Sequence, residues 1–459
     1  MSDVIKIKKG LDLPIAGAAE RRISDARGVL TYGIKPADYV GIVPRLKVAE
    51  GDTVKAGDTL FCSKADERIC FTSPVAGRVK AVVRGEKRLL LAVVVEKNED
   101  GNQAVANFNE GDVRERMLRC GLWASLKQRP FGVVPNPDST PKAIVVSCFD
   151  TAPLAADYDF VMADRSADFC KGLEALATLT KGSLYVNFKQ GQKLAEAVRA
   201  SVKAVNMKVT YFKGVHPTGN VGTQIAQLCP INKGESVWTM NPQDIAVLGH
   251  LMATGEYKPE RIVAVAGPQV VNPHYYKVFA GACVSELVKG QAIGAESNRL
   301  VSGNVLSGTQ IEADGFLGAY DSLLTLIPEG RYYDFMGWLM PGCKKFSFSR
   351  TFCSGFLPSA NCCPTASRKA GHWKFDTNTH GDVRPFVFSG NFERVFPFDI
   401  YPLHLIKACI VGDIELMENL GIYEVEPEDF ALCEFIDTSK TDIQPIIREA
   451  LEKLRKEAL

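Results

Sequence analysis

Thirteen cysteines and six histidines are the residues with the widest chemical reach in this 459-residue chain, and their spacing decides what they can do. The densest group, "CSGFLPSANCCPTASRKAGHWKFDTNTH", holds Cys353, Cys362, Cys363, His372 and His380. Zinc accepts such ligands, but structural sites favour pairs of the form C-x2-4-C and H-x3-5-H, and the gaps here are eight, zero, eight and seven residues. A ferredoxin-type cluster needs thiolates spaced as C-x2-C-x2-C-x3-C-P, and that pattern occurs nowhere. The group therefore reads as a surface loop, and no metal ligand is assigned. The other thiols are scattered from Cys62 to Cys433 and read as reduced cysteines packed as small apolar side chains. The histidines show no Ser-His-Asp or Cys-His signature, so no catalytic residue is assigned either.

Three further segments approach chemistry and stop short of it. "EGDTVKAGDTLF" and "TSPVAGRV" look like the two halves of a lipoyl or biotinyl carrier domain, whose hairpin tip presents a lysine for covalent attachment. The tip here is Asp66 and Glu67, with Lys64 out of register, so the module reads as structural or docking. "KGVHPTGNVGTQIAQLCP" follows a strand and gathers His216, Asn220, Thr223 and Gln224. A loop so placed can meet a ligand, or Thr218 or Asn220 can simply cap the helix "VGTQIAQL". A flavin or nucleotide in an α/β fold needs a Gly-rich turn that lets backbone amides approach phosphate. "RCGLWASLKQRPFG" offers isolated glycines beside bulky Leu122 and Trp123, and that cradle is missing.

The elements that must carry these residues fall into four stretches. Residues 1–104 hold "YVGIVPRLKV", "DTLFCS", "RICFTS", "GRVKAVVRG" and "RLLLAVVVEK", short strands between turns at Gly51, Gly57 and Gly77. They predict a β sandwich without an attachment lysine. From 105 to 255 the helix pattern "GDVRERMLRCGLWASLKQ" precedes "KAIVVSC", "SLYVNFK", "KLAEAVRASVKAV" and "KVTYFK". Strands alternating with helices predict a parallel sheet of Rossmann-like type. Residues 256–330, with "RIVAVAG", "HYYKVFAGACVSELVKG" and "NRLVSGNVLSGT", predict a β-grasp. The stretch 331–459 starts with the aromatic "RYYDFMGWLMPG" and ends in helical spacing, the last helix reading as a solvated amphipathic cap. The expected class is multidomain α+β.

Composition narrows the function classes. With 54 basic and 53 acidic residues the formal net charge is +1, which provides no field for nucleic acid. No apolar run reaches the ~20 residues of a membrane span. The opening "MSDVIKIKKGLDLPIAG" has Asp12 and Pro14 where a signal peptide needs an apolar core, and is expected to be a cytosolic start.

Ordered along nearly the whole chain, "IKKGLDLPIAG", "GLWASLKQRPF", "DTAPLAAD", "GVHPTGNVGTQI", "VWTMNPQDIAVLG", "ESNRLVSGNVLSGT", "EGRYYDFMGWLMPG", "ERVFPFDIYPLHLIKACIVGD" and "EPEDFALCEF" resemble the NqrA family, the A subunit of the sodium-translocating NADH:quinone reductase. That family is related to the C subunit of the Rnf complex and to the flavin-bearing, NADH-oxidising subunit of complex I. The resemblance implies a peripheral subunit on the cytoplasmic face of a bacterial inner membrane, at the quinone-reducing end of a complex that couples NADH oxidation to Na+ export. It further implies that this chain binds no cofactor of its own, with flavins, iron centres and the NADH site on other subunits and quinone as substrate of the complex. The partners implied are the other subunits, mainly the membrane subunit of the quinone end. The carboxyl end departs from the family: Cys433 is followed by "EFIDTSKTDIQ" rather than a Cys-Pro-Gly stretch. The other class compatible with the relatives is an autonomous flavin or iron-sulfur electron carrier of the Rnf type.

Within that resemblance, "GLWASLKQRPFGVVP" (121–135) occupies the place where the complex I relative holds flavin. A quinone head group wants ring faces and a few donors. Trp123, Phe131, Pro130 and Pro135 offer faces, while Lys127, Gln128 and Arg129 offer donors. Trp123, Arg129, Phe131, His216, Asn220 and Gln224 are therefore the candidate quinone or partner contacts.

Overall fold

The computed structural model describes residues 4–26, 28–98, 108–293, 298–337, 339–342, 345–349, 352–353 and 373–458. Its centre is a six-stranded sheet ordered Val4–Ile7, Met207–Gly214, Ser183–Lys189, Ala143–Ser147, Val237–Thr239, Lys127–Arg129. The first five run parallel and Lys127–Arg129 closes one edge antiparallel. Parallel strands are covered on both faces and so read as continuous apolar runs, and Ala143 through Val146 are all buried. Helices Ser166–Ala177 and Pro242–Thr254 lie together because Gly249 leaves no gap between them: a Cβ there would come within 1.7 Å of the Asp168 carbonyl oxygen. Asp112 starts the preceding helix Val113–Arg119 with a capping box closed by Glu115.

A barrel-sandwich packs beside this sheet. Its four-stranded layer is Thr31–Ile34, Leu90–Lys97, Gly77–Arg84, Thr53–Val54, and its three-stranded layer is Pro44–Leu46, Thr59–Ser63, Cys70–Thr72. Within the three-stranded layer the cross-strand pair Phe61 and Phe71 stacks at 4.7 Å, both rings buried. The expected turn at Gly77 is instead the start of a strand, whereas Gly51 and Gly57 do turn the chain with φ of 93° and 95°. The third sheet, ordered Thr309–Ile311, Asn298–Ser302, Leu323–Pro328, Glu260–Ala266, His274–Phe279, Glu20–Asp25, has the β-grasp pattern, with the short helix Val284–Leu287 after its first hairpin.

Two N-terminal strands depart from the expectation that residues 1–104 form the sandwich alone. Val4–Ile7 pairs with Met207–Gly214 of the central sheet, and Glu20–Asp25 pairs with His274–Phe279 of the β-grasp sheet. The sandwich proper begins at Thr31. One hydrophobic core runs without interruption through all three sheets, from Val79 through Val146 to Val265.

The C-terminal helices Pro402–Val411, Ile414–Asn419, Ala431–Ile436 and Ile443–Ala458 build a separate core around Phe396, Phe430, Leu405 and Leu451. The last helix is more than a solvated cap, since Ile443, Ile447, Leu451 and Leu454 are all buried in that core. Among the described residues no helix is long and apolar enough to cross a membrane.

Candidate functional site

Parallel α/β sheets bind ligands beyond the carboxyl ends of the strands, where successive crossovers leave to opposite sides. That point lies here between Ala143–Ser147 and Val237–Thr239. A cleft of about 220 Å³ opens at those ends, walled by Phe149, Tyr158, Asn220, Asn241 and Tyr320. The β-grasp loop of Asn304 and Ser307 covers one side, and Glu426 and Glu428 of the C-terminal domain another.

Of the six candidates, three line this cleft: Arg129, His216 and Asn220. Asn220 stands at the start of helix Val221–Leu228 without a side-chain cap bond, which leaves its amide in the cleft wall. His216 is buried, its Nδ1 lies 3.2 Å from the Thr151 hydroxyl, and its backbone N–H donates to Asp12. Burial pushes its pKa down to about 4 against a smaller opposite pull from Glu428, so the ring is neutral at pH 7.

The remaining three belong elsewhere. Trp123 is fully buried, its Nε1 donates to the Pro135 carbonyl at 2.9 Å, and it meets Trp238 edge-on. Gln224 is fully buried and serves as an internal tie, accepting from Asn187 and donating to Ser147 Oγ and the Thr218 carbonyl. Phe131 lies where the central domain meets the C-terminal helices, its ring against Tyr423 and its carbonyl accepting from Arg448. The segment 121–135 is therefore mostly an internal junction.

Arg129 is the pin of that junction. Its guanidinium is buried and donates to Asp429 at 2.9 Å and to Glu428, with Glu426 at 3.6 Å. Burial disfavours the cation, but the three carboxylates outweigh it and keep Arg129 charged. Burial also pushes the Asp429 carboxyl up, to about 6, against the pull of Arg129. For Glu428 the same burial is outweighed by Arg129 and Lys127, which hold it below the usual carboxylate range. Asp429 abuts Gly222 in the first turn of helix Val221–Leu228, where a Cβ would come within 2.3 Å of its Oδ1. The positive end of that helix thus faces the cluster.

The residues the sequence did not single out are Asp150, Tyr158, Asn241, Glu426, Glu428 and Tyr320. Two signals pointed to them: "DTAPLAAD" directly follows a buried strand, and Asn241-Pro242 is a helix-start pair in which the Asn241 side chain accepts from Gln243 N–H. The sandwich hairpin tip carries its carboxylates in ion pairs: Glu67 with Arg45 and Lys47, and Arg68 with both Asp66 and Asp138 of the central domain. Cys353 and His380 are 27 residues apart and exposed, whereas Cys362, Cys363 and His372 lie outside the described residues. Among the described residues no three His, Cys, Asp or Glu side chains gather as a metal site.

Family models match three parts of the chain: "NqrA N-terminal barrel-sandwich hybrid domain" over 5–98, "NqrA second alpha/beta domain" over 108–257 and "NQRA C-terminal domain" over 262–313. The chain is 38% identical over 465 residues to the A subunit of the Na(+)-translocating NADH-quinone reductase of Yersinia pseudotuberculosis, covering 99% of this chain and 100% of that protein. It is 39% identical over 463 residues to the protein of the same name in Neisseria meningitidis, with the same coverage. Two crystal structures of NAD+-reducing [NiFe]-hydrogenase align with TM-scores of 0.35 and 0.37 at 12% and 11% identity. They cover 69% and 70% of this chain and 57% and 55% of theirs, a likeness too slight to carry an argument.

Two outcomes follow from the geometry. Arg129→Met leaves the buried Glu426 and Asp429 carboxylates without their cation and is expected to cost about 3–5 kcal/mol in urea unfolding, with part returned by adding Asp429→Asn. His216 is neutral when folded and takes up a proton near its ordinary pKa when unfolded, so its contribution is intact above pH 6.5 and is lost as pH falls toward 4. The native chain should lose about 2 kcal/mol more than His216→Asn between about pH 7.5 and about pH 5, as read from denaturant midpoints.

Proposed function

Because the chain belongs to the NqrA family, the A subunit of the Na(+)-translocating NADH-quinone reductase, we propose that it works at the quinone-reducing end of that complex. It sits as a peripheral subunit on the cytoplasmic face of the bacterial inner membrane, docked mainly on the membrane subunit of the quinone end. It carries no flavin, iron centre or NADH site of its own, and those reside on other subunits.

The observation that carries this reading is the cleft at the switch point. A quinone ring is flat and uncharged with two carbonyl acceptors, and its site needs ring faces and N–H or O–H donors. Phe149, Tyr158 and Tyr320 supply faces, and Asn220 and Lys127 supply donors, with the Lys127 ammonium 3.9 Å from the Tyr320 ring centroid. His216, kept neutral, adds no charge beside such a ligand. A neutral ring fits this wall better than a dinucleotide, whose pyrophosphate would meet Asp150, Glu426 and Glu428.

In the intact complex, Asn220→Ala and Lys127→Gln should each raise the apparent KM for quinone about fivefold, the worth of about one hydrogen bond. NADH oxidation with an artificial acceptor should be unchanged. Quinone kinetics that do not move in either assembled variant would remove the cleft from the quinone path. The purified chain alone should be colourless and have its sequence mass, and stoichiometric flavin or iron in it would establish the autonomous carrier instead.

A further inference from the structure

The hairpin made by the two longest strands of the sandwich departs from the rest of the molecule in charge. Gly77–Arg84 and Leu90–Lys97 pair along their length, from Gly77 opposite Lys97 to Arg84 opposite Leu90. Residues 77–97 hold six basic and two acidic side chains, a balance of +4 in a chain whose total is +1. Glu50, which accepts from the Val82 N–H, lowers the local balance only to +3. Lys80 is paired with Glu96, and Lys97 lies over the Phe279 ring. Among the described residues no carboxylate pairs with Arg84, Lys87 or Arg88 at the tip.

The turn itself does not explain these cations. Leu89 N–H donates to the Glu86 carbonyl at 3.0 Å and closes a turn whose central residues, Lys87 and Arg88, have φ of 51° and 61°. Tight hairpin turns with two left-handed residues favour Asn-Gly, and long side chains there cost the backbone energy. Beside them Val83, Leu89 and Leu91 are 40%, 60% and 42% exposed. Leu91 lies over Gly85, where a Cβ would come within 3.1 Å of its Cδ1, which sets it against the turn. Gly85 N–H to the Leu89 carbonyl, at 2.9 Å, and the Arg84 guanidinium to the Arg88 carbonyl, at 3.3 Å, hold the tip shut.

We propose that the tip of this hairpin rests on the anionic lipid head groups of a bilayer, with Arg84, Lys87 and Arg88 among the phosphates and Leu89 and Leu91 at the acyl boundary. From the proposed function this takes only that the chain lies at a membrane. Each unpaired cation near an anionic leaflet raises partition about fivefold, and exposed aliphatic side chains add apolar burial. The two kinds of side chain sit together here. An acidic protein surface fits less well. Interface cores draw on Tyr, Trp, Phe and Met and are poor in Lys, whereas "VVRGEKRLLLAV" holds Lys87 and contains no aromatic residue and no Met.

The test sediments the purified full chain with vesicles of phosphatidylcholine, alone or mixed with phosphatidylglycerol, at low salt. The chain should bind the mixed vesicles and leave the neutral ones. Lys87→Asn with Arg88→Gly installs the residue pair the turn prefers, so the melting temperature should hold or rise while partition to the mixed vesicles falls about 25-fold, the loss of two cations. Leu89→Ser with Leu91→Ser should lower partition at unchanged charge. In the intact complex, kept in its membrane, a photo-reactive leucine analogue at Leu89 should cross-link to phospholipid, identified by mass. No binding to the mixed vesicles, equal binding to neutral ones, unchanged partition in either double variant, a lowered melting temperature of the turn variant, or cross-links only to protein would each overturn the lipid contact. The vesicle measurements need neither quinone nor other subunits, so they stand or fall separately from the quinone kinetics of the Asn220 and Lys127 variants.

Discussion

The attachment of the C-terminal helices depends on a cation held among anions away from water. Arg129 comes from the edge strand of the central sheet, while Glu426, Glu428 and Asp429 come from a short 3-10 turn about 300 residues later. The two bodies they join have separate hydrophobic cores. Area burial alone is non-directional and would tolerate sliding of one body over the other. A planar guanidinium that must meet carboxylates on several sides does not. Such a cluster costs desolvation energy and is poor evidence for stability, but it fixes one relative placement. That placement puts Glu426 and Glu428 on the wall of the switch-point cleft, so the same ion cluster that joins the bodies also shapes the ligand-sized space between them.

Local periodicity made much of the fold legible. "KAIVVSC" and "RIVAVAG" are apolar throughout because strands inside a sheet covered on both faces have no solvent side, and they appear as Ala143–Ser147 and Glu260–Ala266. "LAEAVRAS" alternates with helical period and appears as Leu194–Ser201. What escaped was non-local. "VIKI" and "ERRISD" lie near the sandwich strands in sequence, and nothing in their residues states that their partners are residues 207–214 and 274–279. Trp123 and Gln224 show the same limit at the site. An aromatic ring or an amide reads alike in sequence whether it faces a ligand or a neighbour, and here Trp238 and Asn187 are the neighbours.

Half of the candidate site was accessible by position. Asn220 and His216 were found because they follow a strand, and strand ends are where an α/β fold places its ligand. By the same rule Asp150 and Asn241 belonged with them, since they follow Ala143–Ser147 and Val237–Thr239. The acidic side contributed by Glu426 and Glu428 had no such signal, because it arrives from a domain with a different core.

The two N-terminal strands have a consequence for how the protein is made. Val4 pairs with Tyr211, and Glu20 pairs with His274. Those partners do not exist until nearly half, and then more than half, of the chain has been synthesised. Both strands leave the ribosome before their partners and must therefore wait unpaired while the sandwich can close behind them, and pairings this distant in sequence form slowly. During translation the emerging chain is a closed β module preceded by open strand-forming segments, and that interval is when it most needs protection from pairing with other nascent chains.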